Sequence, residues 1–271
     1  DDLIHYVYSG ENCRLLLIGD SAQLPPVGQE NSPALQVDVL SGFGMMVETS
    51  ILTQIVRQAS DSGILFNATS IRTALSEGAT GDYPKLKVDG FTDIERISGE
   101  ELIDKLGVAY DMDGQEETIV VSRSNKRAVA YNLGIRNSVL FKDDELSTGD
   151  MLMITKNNYF WSEKIEGVDF LANGELVEVV RVRKTQDFYG FRFCDLLVKH
   201  TDYDIELEVK VLLDTLQSET TSLSREKSEE LFLSILEDYE DISTKSGKMK
   251  KMKENPFFNA LQVKYGYAIT C

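Results

Sequence analysis

The sequence of 271 residues lacks any apolar run that approaches the roughly 20 residues needed to cross a lipid bilayer. Cysteine is scarce, and the spacing of Cys13, Cys194 and Cys271 matches no metal site. Three cysteines cannot all pair within one chain. These deficits favour a protein that does not contact membranes and that stays in a reducing compartment, and we expect the cytoplasm.

Basic residues are also in deficit. The chain has 28 lysines and arginines against 45 aspartates and glutamates, which gives a formal net charge of −17 at pH 7. Because a broad nucleic-acid footprint needs a basic surface, this balance argues against generic DNA binding. A narrow groove with a few phosphate contacts stays open, since the acidic residues crowd the range 219–241 and five lysines follow within 245–253.

The sequence contains no Gly-x-x-x-x-Gly-Lys-Ser/Thr motif, the loop that cradles the phosphates of a nucleoside triphosphate. It also contains no carboxylate cluster typical of a nuclease. The chain opens in the middle of a helical pattern, with Leu3, Ile4, Val7 and Tyr8 at helical spacing. We therefore expect a fragment of a longer protein.

The most informative stretch of the chain is residues 14–28. Residues 15–18 are four consecutive apolar residues, which predict a strand buried on both faces of a parallel sheet. The pair Pro25-Pro26 excludes a helix or a central strand soon after it. Asp20 and Gln23 are thus predicted on a stiff loop at the carboxyl end of a strand, where open α/β sheets bind ligands. The alternative is a turn whose polar residues only satisfy the backbone.

Two segments resemble helicase motifs. Residues 19–28, Gly-Asp-Ser-Ala-Gln-Leu-Pro-Pro-Val-Gly, resemble motif III of superfamily 1 helicases, in the form found in the RecD-like branch (superfamily 1B, the exodeoxyribonuclease V alpha type of ATPase). Residues 52–58, Leu-Thr-Gln-Ile-Val-Arg-Gln, resemble motif IV of that family. An amphipathic helix is predicted directly afterwards, from Asp61 to Gly78.

The resemblance implies a role for four residues in catalysis or nucleotide binding. Gln23 would sense the γ-phosphate, since a carboxamide both donates and accepts, and Asp20 would support the Mg²⁺ and water network. Arg57 would act as an arginine finger from the second motor domain, with Gln58 beside it in the nucleotide cleft. The alternative for Arg57 is a surface arginine that pairs with a nearby carboxylate.

A second ligand position follows the predicted buried strand Thr-Ile-Val-Val. Ser122, Ser124 and Asn125 lie at its carboxyl end, beside the N-terminus of a predicted helix, where free N–H groups and the helix dipole favour anions. In RecD-like helicases a similar segment faces the DNA strand, and Asn132 and Arg136 match its second half. Helix capping by Ser124 or Asn125 is an equal alternative and does not exclude phosphate contact.

From residue 149 the pattern changes to strands alone. The pair Asn173-Gly174 is a hairpin signal between the apolar segments 168–172 and 176–182. Two further strand patterns follow, at 191–198 and 205–211. Short antiparallel strands with tight turns predict a small closed barrel.

The entry to this barrel carries a second resemblance. Residues 149–159, with Gly-Asp at the start and Asn-x-Tyr at the end, resemble the entry to the Src-homology-3-like (SH3-like) insertion in the second motor domain of RecD-like helicases. That insertion helps to hold single-stranded DNA, which makes Asn157 and Tyr159 candidate DNA contacts. Tyr159, Phe160 and Trp161 offer faces on which bases can stack. The alternative is that these aromatic residues form barrel core or contact a partner.

Three patterns lie beyond the barrel segment. Ser224 is a predicted N-cap for a helix that runs from Arg225 to about Tyr239, with one apolar face and one densely acidic face. The lysine run 245–253 predicts a flexible connector and, second to that, a DNA contact. Residues 261–270 return to the pattern of a buried strand.

The sequence therefore predicts an α/β fold. A RecA-like parallel-sheet domain follows the tail of a preceding RecA-like domain and carries an inserted antiparallel SH3-like barrel and an acidic helix. We place the tail of the first motor domain at 1–48, the second motor domain at 49–148 and 256–271, the barrel at 149–215, and the acidic helix with its lysine-rich connector at 216–255.

The resemblance implies that the parent protein is an ATP-dependent DNA helicase. It would move 5′ to 3′ on single-stranded DNA with ATP and Mg²⁺ as cofactors, in DNA repair or recombination. Because the P-loop is missing, we expect the isolated chain to bind neither cofactor, to hold no metal and to be inactive. Two alternatives stay open: a degenerate helicase-like scaffold that binds a protein partner through its acidic surface, and the motor subunit of a helicase–nuclease complex.

Overall fold

The computed structural model describes residues 2–26, 28–52, 61–78, 83–163, 165 and 167–270. Contacts divide the chain into two units, residues 1–97 and residues 98–271. The secondary structure is mixed α/β, and the second unit contains a closed five-stranded barrel and a parallel sheet of two strands. Within the described ranges, no helix is long and apolar enough to cross a membrane.

The described part of the first unit is helical, with α1 at Asp2–Tyr8, α2 at Val37–Ser41 and α3 at Gly63–Ser76. Helix α3 confirms that a helix follows the segment that resembles motif IV, but its apolar residues Ile64 and Leu75 are exposed and its buried residues are Gly63 and Asn67. Ser62 caps it, since its hydroxyl accepts a hydrogen bond from the Leu65 N–H. Asp93 closes the same end by accepting from the Ser62 hydroxyl at 2.6 Å and from the Gly63 N–H at 2.8 Å. These hydrogen bonds lower the pKa of the Asp93 carboxyl, and the bond from Ser62 has the largest effect.

Residues 15–18 do not form the buried strand that the sequence predicts. Leu16 is 80% exposed and Ile18 is 88% exposed, and no strand in the described part of the first unit pairs with this segment. A strand buried on both faces needs neighbours along its edges and layers over its faces. The apolar run therefore has the composition of a central strand without the sheet that would bury it.

The α/β part of the second unit surrounds a parallel strand pair. Its elements are α4 at Leu102–Met112, β1 at Val120–Ser122, α5 at Asn125–Gly134, a π-helical turn at Ile135–Val139, and β7 at Ala268–Thr270. Strands β1 and β7 are parallel, with Val120 opposite Ala268. Asn132 of α5 donates to the Ala268 carbonyl and accepts from the Ala268 N–H, both at 2.8 Å. One side chain thus fastens α5 to β7.

The barrel lies between these two strands in sequence. Its strands are β2 at Met151–Ile154, β3 at Leu176–Phe188, β4 at Phe191–His200, β5 at Glu206–Leu212 and β6 at Leu261–Tyr265, in the closed order β2-β3-β4-β5-β6. This confirms a small closed barrel. All of its pairs are antiparallel except β5 with β6, which is parallel. The interior is filled by Leu152, Val179, Val198, Val209 and Val263 among others.

The barrel departs from the predicted pattern at two places. Asn173-Gly174 is a turn, with the Gly174 N–H bonded to the Ile154 carbonyl at 2.8 Å. The strand before this turn is β2, because residues 168–172 make only one isolated bridge in the described ranges, between Leu171 and Asn158 of the loop after β2. The fifth strand comes from 261–265, outside the range 149–215 in which the sequence places the barrel. Without a further strand, β5 would have an unpaired edge, and this edge is closed by a strand from later in the chain.

Residues 261–270 form two strands instead of one. The chain leaves β6 at Gly266, where a Cβ atom would lie 2.7 Å from Leu176 Cδ2. A side chain at this position would have to displace the Leu176 side chain. The Gly266 N–H bonds to the Met151 carbonyl at 2.8 Å, and β7 then joins β1. The predicted strand thus serves both the barrel and the parallel pair.

Two helices cover one side of the barrel. Helix α6 at Arg225–Glu237 confirms the predicted acidic helix, with Ser224 as its N-cap. Residues 245–253 are not a flexible connector, because they lie within a second helix, α7, at Lys245–Glu254. Thr244 caps α7, and the fully buried side chain of Met252 anchors the helix to the barrel. The shared core consists of Phe191, Phe193, Leu212, Leu231, Ile235 and Met252.

A buried ion pair joins the barrel to the α/β part of the second unit. Asp150, directly before β2, is fully buried, and its carboxylate receives Arg136 Nε at 3.1 Å and Nη2 at 3.0 Å. Tyr267 donates to the same carboxylate at 2.9 Å, and Lys142 Nζ lies 3.2 Å from it. The Arg136 guanidinium also lies over the Tyr265 ring, 4.5 Å from its centroid. Burial alone would lower the pKa of Arg136, but Asp150 raises it above its ordinary value.

Replacing Asp150 with alanine should lower the free energy of unfolding by about 3–5 kcal/mol, because the Arg136 charge would stay buried without its partner. Urea unfolding can be followed by the fluorescence of Trp161, the one tryptophan of the chain. The matched control is Asp204→Asn, which removes the charge of the exposed partner of Lys199, keeps a residue that tolerates the positive φ of 52° at this position, and should leave the midpoint almost unchanged. Equal midpoints for the two variants would contradict this role for Asp150.

Candidate nucleic-acid interface

The turn that resembles motif III is closed by its own aspartate. Asp20 Oδ1 accepts from the Ala22 N–H at 2.9 Å and from Arg72 Nη2 at 2.5 Å. Gln23 is exposed, and its N–H donates to the Asp20 carbonyl at 3.2 Å. Arg72 belongs to α3, and sequence reasoning missed it because no spacing rule connects it to a residue 52 positions earlier. Asp20 and Gln23 are therefore brought together on one turn, with an arginine from α3 on the carboxylate.

The other two residues predicted at the nucleotide, Arg57 and Gln58, lie outside the described residues. A triphosphate with its Mg²⁺ needs a P-loop and an acidic pair, and the sequence has no P-loop. In the ranges that the structure describes, no group of three His, Cys, Asp or Glu side chains is placed to hold a metal ion. One carboxylate and one carboxamide on an exposed turn do not by themselves fit ATP.

The N-terminus of α5 combines helix capping with an exposed basic cluster. Ser124 accepts from the Arg127 N–H at 3.3 Å, and the Ser122 hydroxyl bonds to the Ile269 carbonyl at 3.2 Å. Asn125 Oδ1 accepts from the Thr270 hydroxyl at 3.0 Å. The exposed cations around this point, which sequence reasoning missed although they adjoin the selected residues, are Arg123, Lys126 and Arg127. Positive charge and helix dipole together favour an anion here.

Asn132 and Arg136 are buried and have structural roles. Asn132 is 3% exposed, with its carboxamide bonded to Ala268 on both sides, and Arg136 is 2% exposed, with its guanidinium on Asp150. Neither side chain offers a donor to a DNA strand in this structure. Asn132 and Arg136 were predicted as DNA contacts because their segment resembles one that faces DNA. A local motif does not show that distant elements bury its residues.

The aromatic loop between β2 and β3 presents an open stacking surface. Tyr159 is 64% exposed, and its ring lies 5.1 Å from that of Phe170 with an interplanar angle of 31°. Asn157 is exposed on the same loop and accepts from the Asn173 N–H at 2.8 Å. Phe170 was missed, because nothing in the local sequence links it to Tyr159. The two predicted barrel contacts therefore lie together at the surface.

Asn158 fixes the shape of this loop. Its Oδ1 accepts from the N–H groups of Phe160 at 3.0 Å and Trp161 at 3.2 Å, and its Nδ2 donates to the Asn259 carbonyl at 2.9 Å. Trp161 Nε1 donates to the same carbonyl at 2.8 Å. Trp161 is therefore anchored, in line with the alternative that part of the aromatic run belongs to the barrel, while Tyr159 faces solvent.

Comparisons with known proteins identify no family. No protein-family model matches this chain, and no curated protein does. The function of the candidate interface must therefore be inferred from its geometry alone. An exposed tyrosine ring such as that of Tyr159 accepts a base by stacking without selecting its sequence, and a basic helix N-terminus accepts a phosphate.

Replacing Asn158 with alanine should lower the free energy of unfolding by about 1–3 kcal/mol, since two backbone donors lose their acceptor. The emission of Trp161 should also shift to longer wavelength as the loop opens. Urea unfolding and fluorescence spectra measure both effects. Asn157→Ala is the matched control, because Asn157 makes one exposed bond and its loss should cost less than about 1 kcal/mol. A larger loss for Asn157 than for Asn158 would contradict the anchoring role.

Proposed function

We propose that this chain belongs to a RecD-like, ATP-dependent DNA helicase and that its barrel holds single-stranded DNA. The observation that carries the proposal is the exposed Tyr159 ring, packed against the half-buried Phe170, on a loop that Asn158 fixes to the barrel. Stacking on such a ring is tolerant of sequence, as a translocating motor requires. Asn157, exposed beside the rings, supplies a carboxamide to the same strand.

The topology of the second unit supports the proposal. The barrel strands are inserted between β1 and β7, which are parallel neighbours. A small barrel that interrupts an α/β unit has the arrangement of an SH3-like insertion in a RecA-like motor domain. The segments that resemble motifs III and IV precede this unit in the expected order.

The second proposed DNA contact is the N-terminus of α5. Ser122, Ser124 and Asn125 lie there, and we assign the surrounding cations to backbone phosphates. Asn132 and Arg136 act behind this contact, since they hold α5 to β7 and to Asp150. The net charge of −17 fits local phosphate contacts better than a broad footprint.

The parent protein in this proposal couples ATP hydrolysis to 5′–3′ movement, in DNA repair or recombination in the cytoplasm. Asp20, Gln23, Arg57 and Gln58 belong to its nucleotide cleft, while the P-loop and the Mg²⁺-binding acidic pair are contributed from outside this chain. A catalytically inactive scaffold is the second candidate, favoured by the many exposed carboxylates of α6. An intact P-loop in the parent sequence would decide for the motor.

Tyr159→Ala should weaken the binding of fluorescein-labelled oligothymidylate by about 1–3 kcal/mol, the contribution of one stacked base. Tyr159→Phe keeps the stacking face and should bind like the unaltered chain. Fluorescence anisotropy measures the dissociation constants. Tyr203→Ala removes an exposed tyrosine that contacts His200 and serves as the matched control. Equal affinities for the two alanine variants would count against the barrel as a DNA contact.

The chain of residues 1–271 should release no phosphate from ATP above background, with or without single-stranded DNA, because the phosphate-binding loop is missing. A colorimetric phosphate assay with Mg²⁺ present measures this. DNA-stimulated ATP hydrolysis by this chain alone would overturn the assignment of its nucleotide residues to an incomplete cleft.

A further inference from the structure

Helix α7 concentrates positive charge in an acidic protein. Five of its ten residues are lysines, whereas the chain as a whole has a net charge of −17. Lys245, Lys250 and Lys253 are exposed, and none of them forms an ion pair with another described residue. Lys251 alone has such a partner, Glu254, at 2.9 Å. Three ammonium groups of one short helix are thus available to a ligand.

The arrangement of these lysines is unfavourable in the free protein. Lys250 and Lys253 are three positions apart on the helix, where like charges repel. Lys245 lies in the first turn, at the positive end of the helix dipole. A bound polyanion would offset the repulsion between Lys250 and Lys253, since it would place negative charge against both ammonium groups.

The helix is held rigidly enough to present this face. Thr244 caps its first turn, and Met252 anchors it in the core that α6 and α7 share with one side of the barrel. At its C-terminus the Asn259 carboxamide donates to the carbonyls of Lys253 at 2.9 Å and Asn255 at 2.8 Å. Asn255 in turn donates to the Tyr239 hydroxyl at 3.0 Å. The exposed Lys250 and Lys253, which form the lysine face of α7, therefore have a backbone of fixed position on the barrel.

The same asparagine joins α7 to the aromatic loop. While the Asn259 side chain caps α7, its backbone carbonyl accepts from Asn158 Nδ2 at 2.9 Å and from Trp161 Nε1 at 2.8 Å. One residue thus fixes the end of the lysine helix and the loop that carries Tyr159. The C-terminal end of α7 is therefore linked to the aromatic loop through Asn259, and a ligand that reaches both needs flat rings to stack and negative charges to pair.

We propose that the lysine face of α7, formed by Lys250 and Lys253, binds backbone phosphates of the single strand whose bases stack on Tyr159, beside Phe170. The inference rests on the proposed function in that it extends the same DNA path. Lys250 and Lys253 are about 4.5 Å apart along the helix axis, which is comparable with one phosphate spacing of a DNA strand. A nucleic acid is favoured over an acidic peptide because only the former supplies bases to stack on Tyr159.

The test measures binding of fluorescein-labelled oligothymidylate to the 271-residue chain over a range of salt concentrations. Lys250→Gln/Lys253→Gln is compared with Lys184→Gln/Lys227→Gln, a control that removes the same charge from exposed positions on β3 and α6. Each phosphate contact on a single strand contributes a salt slope of about 0.7. The α7 double variant should therefore bind about 25-fold more weakly at 0.1 M salt, with a slope smaller by about 1.4, and the control should change little.

The outcomes separate this inference from the proposed function. If Tyr159→Ala weakens binding and the α7 double variant behaves like its control, the lysine face is not a contact and the inference fails alone. If the unaltered chain does not bind oligothymidylate, both fail. Poly-L-glutamate is the competing ligand: loss of its binding in the α7 variant, with DNA binding unchanged, would overturn the inference in favour of an acidic protein partner. Circular dichroism of α7 variants and controls should be identical.

Discussion

One buried carboxylate, that of Asp150, holds the second unit together. It lies directly before β2 and receives Arg136 from the turn after α5 and Tyr267 from the strand junction after β6. Because a buried charge without its partner is more destabilising than the loss of a surface contact, the loss of any one of these elements would destabilise the others. The positions of the barrel and of the α5 N-terminus, the two proposed DNA contacts, are therefore set by the same interaction.

Local causes made part of this fold predictable. Ser62, Ser124 and Ser224 each bond to a backbone N–H three positions later, so the sequence around them contains the whole signal for a helix start. The burial of Arg136 depends instead on Asp150, 14 positions away, and on Tyr265, 129 positions away. An arginine in a segment that resembles a DNA contact gives no sign of those partners.

The same distinction applies to the candidate interface. Tyr159 and Asn157 could be selected because the entry to the barrel has a recognisable pattern, whereas Phe170 contacts Tyr159 through the fold alone. A lysine-rich run has the composition of a flexible segment, and only the burial of Met252 and the bonds of Asn259 make it a fixed helix. The composition of residues 15–18 favours a buried strand, but a local sequence does not show whether other strands pack beside it.

The return of the chain through β6 and β7 has a consequence for the order in which the second unit folds. Ser122 and Ile269 are bonded across 147 positions, and β5 finds its parallel neighbour only after α6 and α7. Contacts of such long range form slowly, since the entropy of closing the loop opposes them. During synthesis β1 and the free edges of β2 and β5 stay unpaired until residues 261–270 emerge. A ribosome-bound chain that stops short of Leu261 would expose these edges to other chains, and such edges are prone to aggregate.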